Sequence, residues 1–166
     1  MSNIKKITVD LVKEGIEGAG AVNVVMLEKD KEMRCMPMQM FSGLQNEVSS
    51  SFEFVGEIVG GCKGIGSDIA FLMDSWVSKL SKEDYEKGDI KRPSQDPQRT
   101  EAIILIYVDL ASSDVKCVTT TIIPYEKKDD KYIWGEVSET QEDFNASRLT
   151  KAFKDGYLKT KGITGF

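Results

Sequence analysis

The chain has 166 residues, enough for one domain that buries roughly two-thirds of its unfolded surface in a single core. Apolar residues make up 40% and charged residues 30%, with a net charge of −5, which suits a soluble globule and gives no basis for a broad nucleic-acid surface. Histidine is absent, which removes the commonest general base, every Ser-His or Cys-His nucleophile pair and the His-containing zinc sites.

Ile4, Ile7, Leu11, Val12 and Ile16 recur at three- and four-residue steps, so the spacing predicts an amphipathic helix over 3–17, punctuated by Gly15, Gly18 and Gly20. Residues 21–27 are Val-rich and read as a strand, followed by a charged turn over 28–32. In the next strand, 33–41, Met36, Met38 and Met40 alternate onto one face. Pro37 moves that strand to a sheet edge, because proline cannot donate to a ladder. Phe41, Leu44, Val48, Phe52, Val55 and Val59 then keep helical spacing up to Gly60 and Gly61.

Residues 68–77 predict a strand with Ile69, Phe71 and Met73 on one face and Ala70, Leu72 and Trp76 on the other, both largely buried. The stretch 80–99 holds Lys, Glu, Asp and Pro with little apolar content and reads as a long solvated connection. Residues 100–110 form a strong central strand, 115–125 return the chain, and 132–137 close a meander. Leu149, Phe153 and Tyr157 line a last helix over roughly 146–158, with Asn145 as its N-cap.

This order predicts an α+β fold, a single domain over 1–166. Its sheet is mostly antiparallel, of about five to six strands, with helices packed on one face. Strands 68–77 and 100–110 are expected side by side and antiparallel at the centre, since both are apolar on both faces. The first residues are polar and charged, unlike a signal peptide, and no apolar run is long enough to span a membrane. Cys35, Cys62 and Cys117 are odd in number and widely spaced, as expected of reduced thiols in a cytoplasmic protein.

Three stretches invite a chemical reading. The glycine-rich GGCKGIGSD, residues 60–68, follows a helix and precedes a strand, the reverse of the order a phosphate loop needs. Helix termination accounts for it better. The Met33–Met40 run carries four thioethers and the Cys35 thiol, soft ligands that suit Cu(I). Core packing, where methionine fills irregular gaps, takes precedence over copper; a partner-binding surface on Met36, Met38 and Met40 stands between the two.

Asp74 lies inside an apolar strand, where an acid is costly unless paired, so structural and functional roles are evenly matched. Antiparallel pairing of 68–77 with 100–110 brings Asp74 and Trp76 towards Arg99 and Glu101. Asp96-Pro97 suits the start of a type I turn that launches the later strand. Asp74, Trp76, Asp96, Arg99 and Glu101 thus form a candidate functional cluster. Within it, Arg99 is expected to pair with Asp74 or Glu101, as a structural anchor or as a clamp for an anionic ligand.

The acidic-x-Trp end of one strand, in FLMDSW, followed by the Pro-x-Arg-x-Glu start of another, in DPQRTEAI, resembles a pattern in small uncharacterised prokaryotic and phage proteins. That resemblance implies a microbial or viral origin and brings no activity with it.

The leading functional expectation is a non-enzymatic domain that binds a protein partner or self-associates, with no cofactor and no metal. The alternative is a metal-dependent hydrolase acting on a phosphate ester, with Asp74, Asp96 and Glu101 holding a divalent cation.

Overall fold

Two hairpins set the two ends of the sheet. In the first, Asp30 and Lys31 (φ 53° and 68°) form a two-residue turn between β1 (Val24–Lys29) and β2 (Glu32–Pro37). In the second, Asp129 and Asp130 (φ 52° and 61°) do the same between β5 (Val118–Lys128) and β6 (Lys131–Trp134). Two successive positive φ angles match the right-handed twist of the flanking strands, and aspartate tolerates that backbone region better than most residues. The computed structural model describes residues 4–20, 23–38, 48–77, 100–111 and 117–161. The start of the expected second helix (41–47) and the connection 80–99 lie outside them.

Between the hairpins run β3 (Ile65–Val77) and β4 (Thr100–Asp109). The sheet order is β2-β1-β3-β4-β5-β6, every neighbouring pair antiparallel. β3 and β4 pair without a break from Asp68 opposite Asp109 to Val77 opposite Thr100, as their two-sided apolar pattern predicts. β2 is an edge strand, also as expected. A seventh strand, β7 (Ser138–Glu142), pairs with the first half of β5 while β6 pairs with the second half. Its sequence, SETQE, is polar throughout, so no alternation announces it; backbone pairing along a free edge is sufficient.

The class is α+β, and among the described residues three α-helices pack against a seven-stranded antiparallel sheet. α2 (Val48–Gly61) and α3 (Arg148–Thr160) share one face, where Phe52, Val55, Val59 and Phe153 cover Ile69, Phe71, Ile106 and Val108. Phe52 stacks on Phe71 at 4.1 Å, and Phe153 meets Phe71 edge-on at 5.7 Å. Gly156 lies beside Glu53 and Thr160 beside Glu57, so the two helices run in the same direction. They approach so closely that a methyl group on Gly56 would strike the Phe153 carbonyl, and one on Gly156 the Glu53 carbonyl.

α1 (Val9–Ala19) departs from one-sided packing and covers the opposite face. Val12 and Ile16, together with Ile4, pack there on Ala70, Ile103, Leu105 and Ile123. The reason is β4 itself, whose Ile103 and Leu105 need cover as much as Ile104 and Ile106 do on the other side. α1 also starts later than its apolar spacing predicts. Thr8 is extended and its hydroxyl accepts the Leu11 N–H at 3.3 Å, making it the N-cap, while Ile4–Lys6 form a separate turn. α3 likewise takes Ser147 as its cap in place of Asn145, whose N–H donates to Asp143 in a short 3-10 turn. Among the described residues no helix is long and apolar enough to cross a membrane.

Candidate functional site

On the α1 face the parity of β3 brings Asp68, Ala70, Leu72 and Asp74 to one side, and each aspartate receives a tyrosine hydroxyl from another strand. Tyr125 on β5 donates to Asp74 Oδ1 at 2.7 Å. The Asp74 backbone N–H donates to Asn23 Oδ1 at 2.8 Å, so this acid is tied on two sides although its residue is exposed. Glu101 stands opposite both Trp76 on β3 and Tyr125 on β5, which places it beside Asp74 on this face. Burial, the hydrogen bond to Asp74 and the negative charges of Asp74 and Glu101 all push the Tyr125 phenol above its ordinary range. Tyr125 in turn packs against Tyr132 and Trp134, and Trp134 Nε1 donates to Glu17 of α1 at 2.6 Å.

Of the expected cluster, the structure therefore brings Asp74 and Glu101 together, with Trp76 opposite Glu101 in the strand register. The Trp76 side chain, Asp96 and Arg99 lie outside the described residues, and with them the expected Arg99 pairing. The methionine candidates separate in the same way. Met38 is 5% exposed in the core beneath α2, Met36 packs against that core, and Met40 is outside the described residues. The Met36 and Met38 side chains fill space in the core that the helix pair covers. The three cysteines are free, with Cys35 exposed and Cys117 buried. Among the described residues no group of three or more His, Cys, Asp or Glu side chains is arranged to hold a metal ion.

The second tyrosine–aspartate pair lies at the other end of the strands. Asp68 is 6% exposed and accepts the hydroxyl hydrogen of Tyr107 from β4. Asp68 and Asp109 face each other across β3 and β4, where like charges repel. The Tyr107 hydrogen bond gives the buried carboxylate the partner it needs. The Tyr107 phenol is pushed far above its usual range by burial, then by the Asp68 hydrogen bond and the charges of Asp68 and Asp109. Asp109 is itself held in place, its Oδ1 accepting the Ala111 N–H at 3.0 Å.

Beside this pair opens a cavity of about 480 Å³ between the sheet and the segment that leads into α1. Its floor is Ala70 and Leu105, and Ile4, Ile7 and Val9 form an apolar wall. Tyr107, Asp109, Thr119, Thr121 and Glu139 line the sheet side, with Lys5 and Thr8 on the other. Two local features make the space. Ala70 places the smallest side chain of that face opposite Tyr107, and the cap at Thr8 delays the helix so that residues 4–7 arch over the strands as a turn.

Sequence reasoning centred on the Asp74 end and missed the Asp68 end. The available signal was parity, since Asp68 and Asp74 share a face in an otherwise apolar strand. Glu139 carried no such signal, because it arrives on the polar strand β7, where it stands opposite Thr121. No family model, no curated protein and no solved structure matches this chain.

Proposed function

We propose that this chain is a non-catalytic binding module, acting as one domain over residues 1–166, and that its working site is the cavity between residues 4–9 and the sheet. The observation that carries the reading is the cavity itself: about 480 Å³, apolar at its floor, with a few polar groups converging on it. Ligand sites are commonly of that size and composition, and they are built on rigid elements. Here strands of the sheet form one side and, among the described residues, the short N-terminal lead-in forms the other.

The Asp74–Tyr125 pair has a structural role in this proposal, tying β3 to β5 across β4 beneath the Tyr132–Trp134 stack. A protein partner or a second copy of the chain would present its side chain to the cavity, and free thiols suit a cytoplasmic setting.

A fragment screen followed by amide chemical-shift mapping tests the reading. Binders are expected to move the signals of Leu105, Tyr107, Thr119 and Thr121 together. Thr119→Trp, which fills the cavity from a half-exposed strand position, is expected to abolish those shifts while the melting temperature holds. Fragments that bind elsewhere, or that ignore the tryptophan, overturn the proposal.

A further inference from the structure

We propose that the cavity takes a hydrogen-bond-donating cation, an ammonium or guanidinium head on a short apolar stem; the proposal rests on the cavity being the binding site. The polarity of the cavity is set from behind. A phenol carries one hydrogen, and Tyr107 gives it to the buried carboxylate of Asp68. The Tyr107 oxygen can then only accept from whatever enters. Asp109 and Glu139 on the same wall are acceptors as carboxylates. Three acceptor groups therefore converge from β4 and β7, and the Asp68 charge lies immediately behind them.

Among the described residues Lys5 is the one cation lining the cavity, and it is exposed on the lead-in. Against it stand two lining carboxylates, so an anionic ligand would meet net repulsion and three groups with no hydrogen to offer it. A neutral ligand would gain the apolar contacts of Ile7, Ala70 and Leu105 but leave those acceptors poorly matched. A cationic head supplies the donors, and charge-assisted hydrogen bonds are the stronger kind. The apolar wall then holds the stem, as aliphatic stems of lysine and arginine are held elsewhere.

Calorimetric and chemical-shift titrations at low salt with n-butylguanidinium, 1-pentanol and pentanoate provide the test. n-Butylguanidinium is expected to bind at least about ten-fold more tightly than either of the others, as loss of a charge-assisted hydrogen bond implies. Glu139→Gln and Asp109→Asn should weaken it by a similar factor while leaving 1-pentanol unchanged. Glu139 is an exposed edge position, so the first variant does not depend on the core.

Equal affinity for the alcohol or the carboxylate, or indifference to both variants, overturns the cation proposal while the cavity stands as a binding site. Absence of any probe-induced shift at Thr119 and Thr121 overturns both. A blocked arginine residue used as a fourth probe separates two sources of the same chemistry. Binding of both guanidinium compounds points to a partner's side chain, and binding of n-butylguanidinium alone to a small free cation.

Discussion

The two faces of the sheet are made by the same strands and differ in how they are finished. Under α2 and α3, Phe52, Phe71 and Phe153 interlock and two helix backbones meet through glycine. Under α1, small residues leave a cavity, and two aspartates take tyrosine hydroxyls. Residue parity along β3 decides which of these a side chain joins: Ile69, Phe71 and Met73 go to the sealed face, and Asp68, Ala70 and Asp74 to the open one. One face holds the fold together, and that support leaves the other free to keep space and buried charge.

The largest expected effect comes from removing the centre of the sealed face. Phe71→Ala should destabilise the protein by about 3–5 kcal/mol, since the ring is wholly buried and two other rings close on it. Leu105→Ala on the open face should fall near the lower end of the usual range, about 2 kcal/mol, because its side chain already borders a void. Urea denaturation of both variants measures the difference. Equal losses would mean that the two faces are packed alike.

Next comes the helix seam. Gly156→Ala adds a methyl group against the Glu53 backbone, which cannot rotate away as a side chain would. Overpacking of this kind destabilises by about 1–3 kcal/mol, more than offsetting the better helix propensity of alanine. A lower melting temperature is the expected result, and an unchanged one would show that the helices have room to separate.

The open face is expected to be sensitive to alkali. Tyr107→Phe strands the Asp68 carboxylate, at about 1–3 kcal/mol for a buried acceptor that loses its partner. The same phenol links stability to pH. Its folded pKa lies above the unfolded value of about 10, so the protonated form is favoured by folding. The contribution is complete below about pH 10 and is lost as pH rises above it, with Tyr125 following the same sign. Denaturation midpoints at pH 8 and 9.5 should be nearly equal in the wild type and fall at pH 10.5, with a smaller fall at pH 10.5 in Tyr107→Phe.

The sealed face was legible because its signals are apolar and periodic. The helix ending at Gly61, the two-sided strands β3 and β4 and the edge position of β2 follow from spacing and from Pro37. The candidate site was legible only in part. Asp74 and Glu101 stand where antiparallel pairing predicts. Asp68–Tyr107 did not emerge, because a buried acid announces itself only once its partner on another strand is known. Caps shifted two helix starts, at Thr8 and Ser147, by local hydrogen bonds that compete with apolar periodicity. At Thr8 that shift is also what leaves room for the cavity.

The smallest expected effect has the opposite sign and isolates the looseness of the open face. Gly15 lies within α1, and a methyl group added there meets no atom within 4 Å. Its backbone is ordinary helix, so alanine adds no strain and removes freedom from the unfolded chain. Gly15→Ala should therefore stabilise the protein by about 0.5–1 kcal/mol, the reverse of the same change at Gly156. Hydrogen exchange reads where the gain is placed. Slower exchange confined to α1 would show that this helix opens separately from the sheet, with the cavity wall attached to it. Uniform slowing would tie α1 to global unfolding and make the lead-in segment as firm as the sealed face.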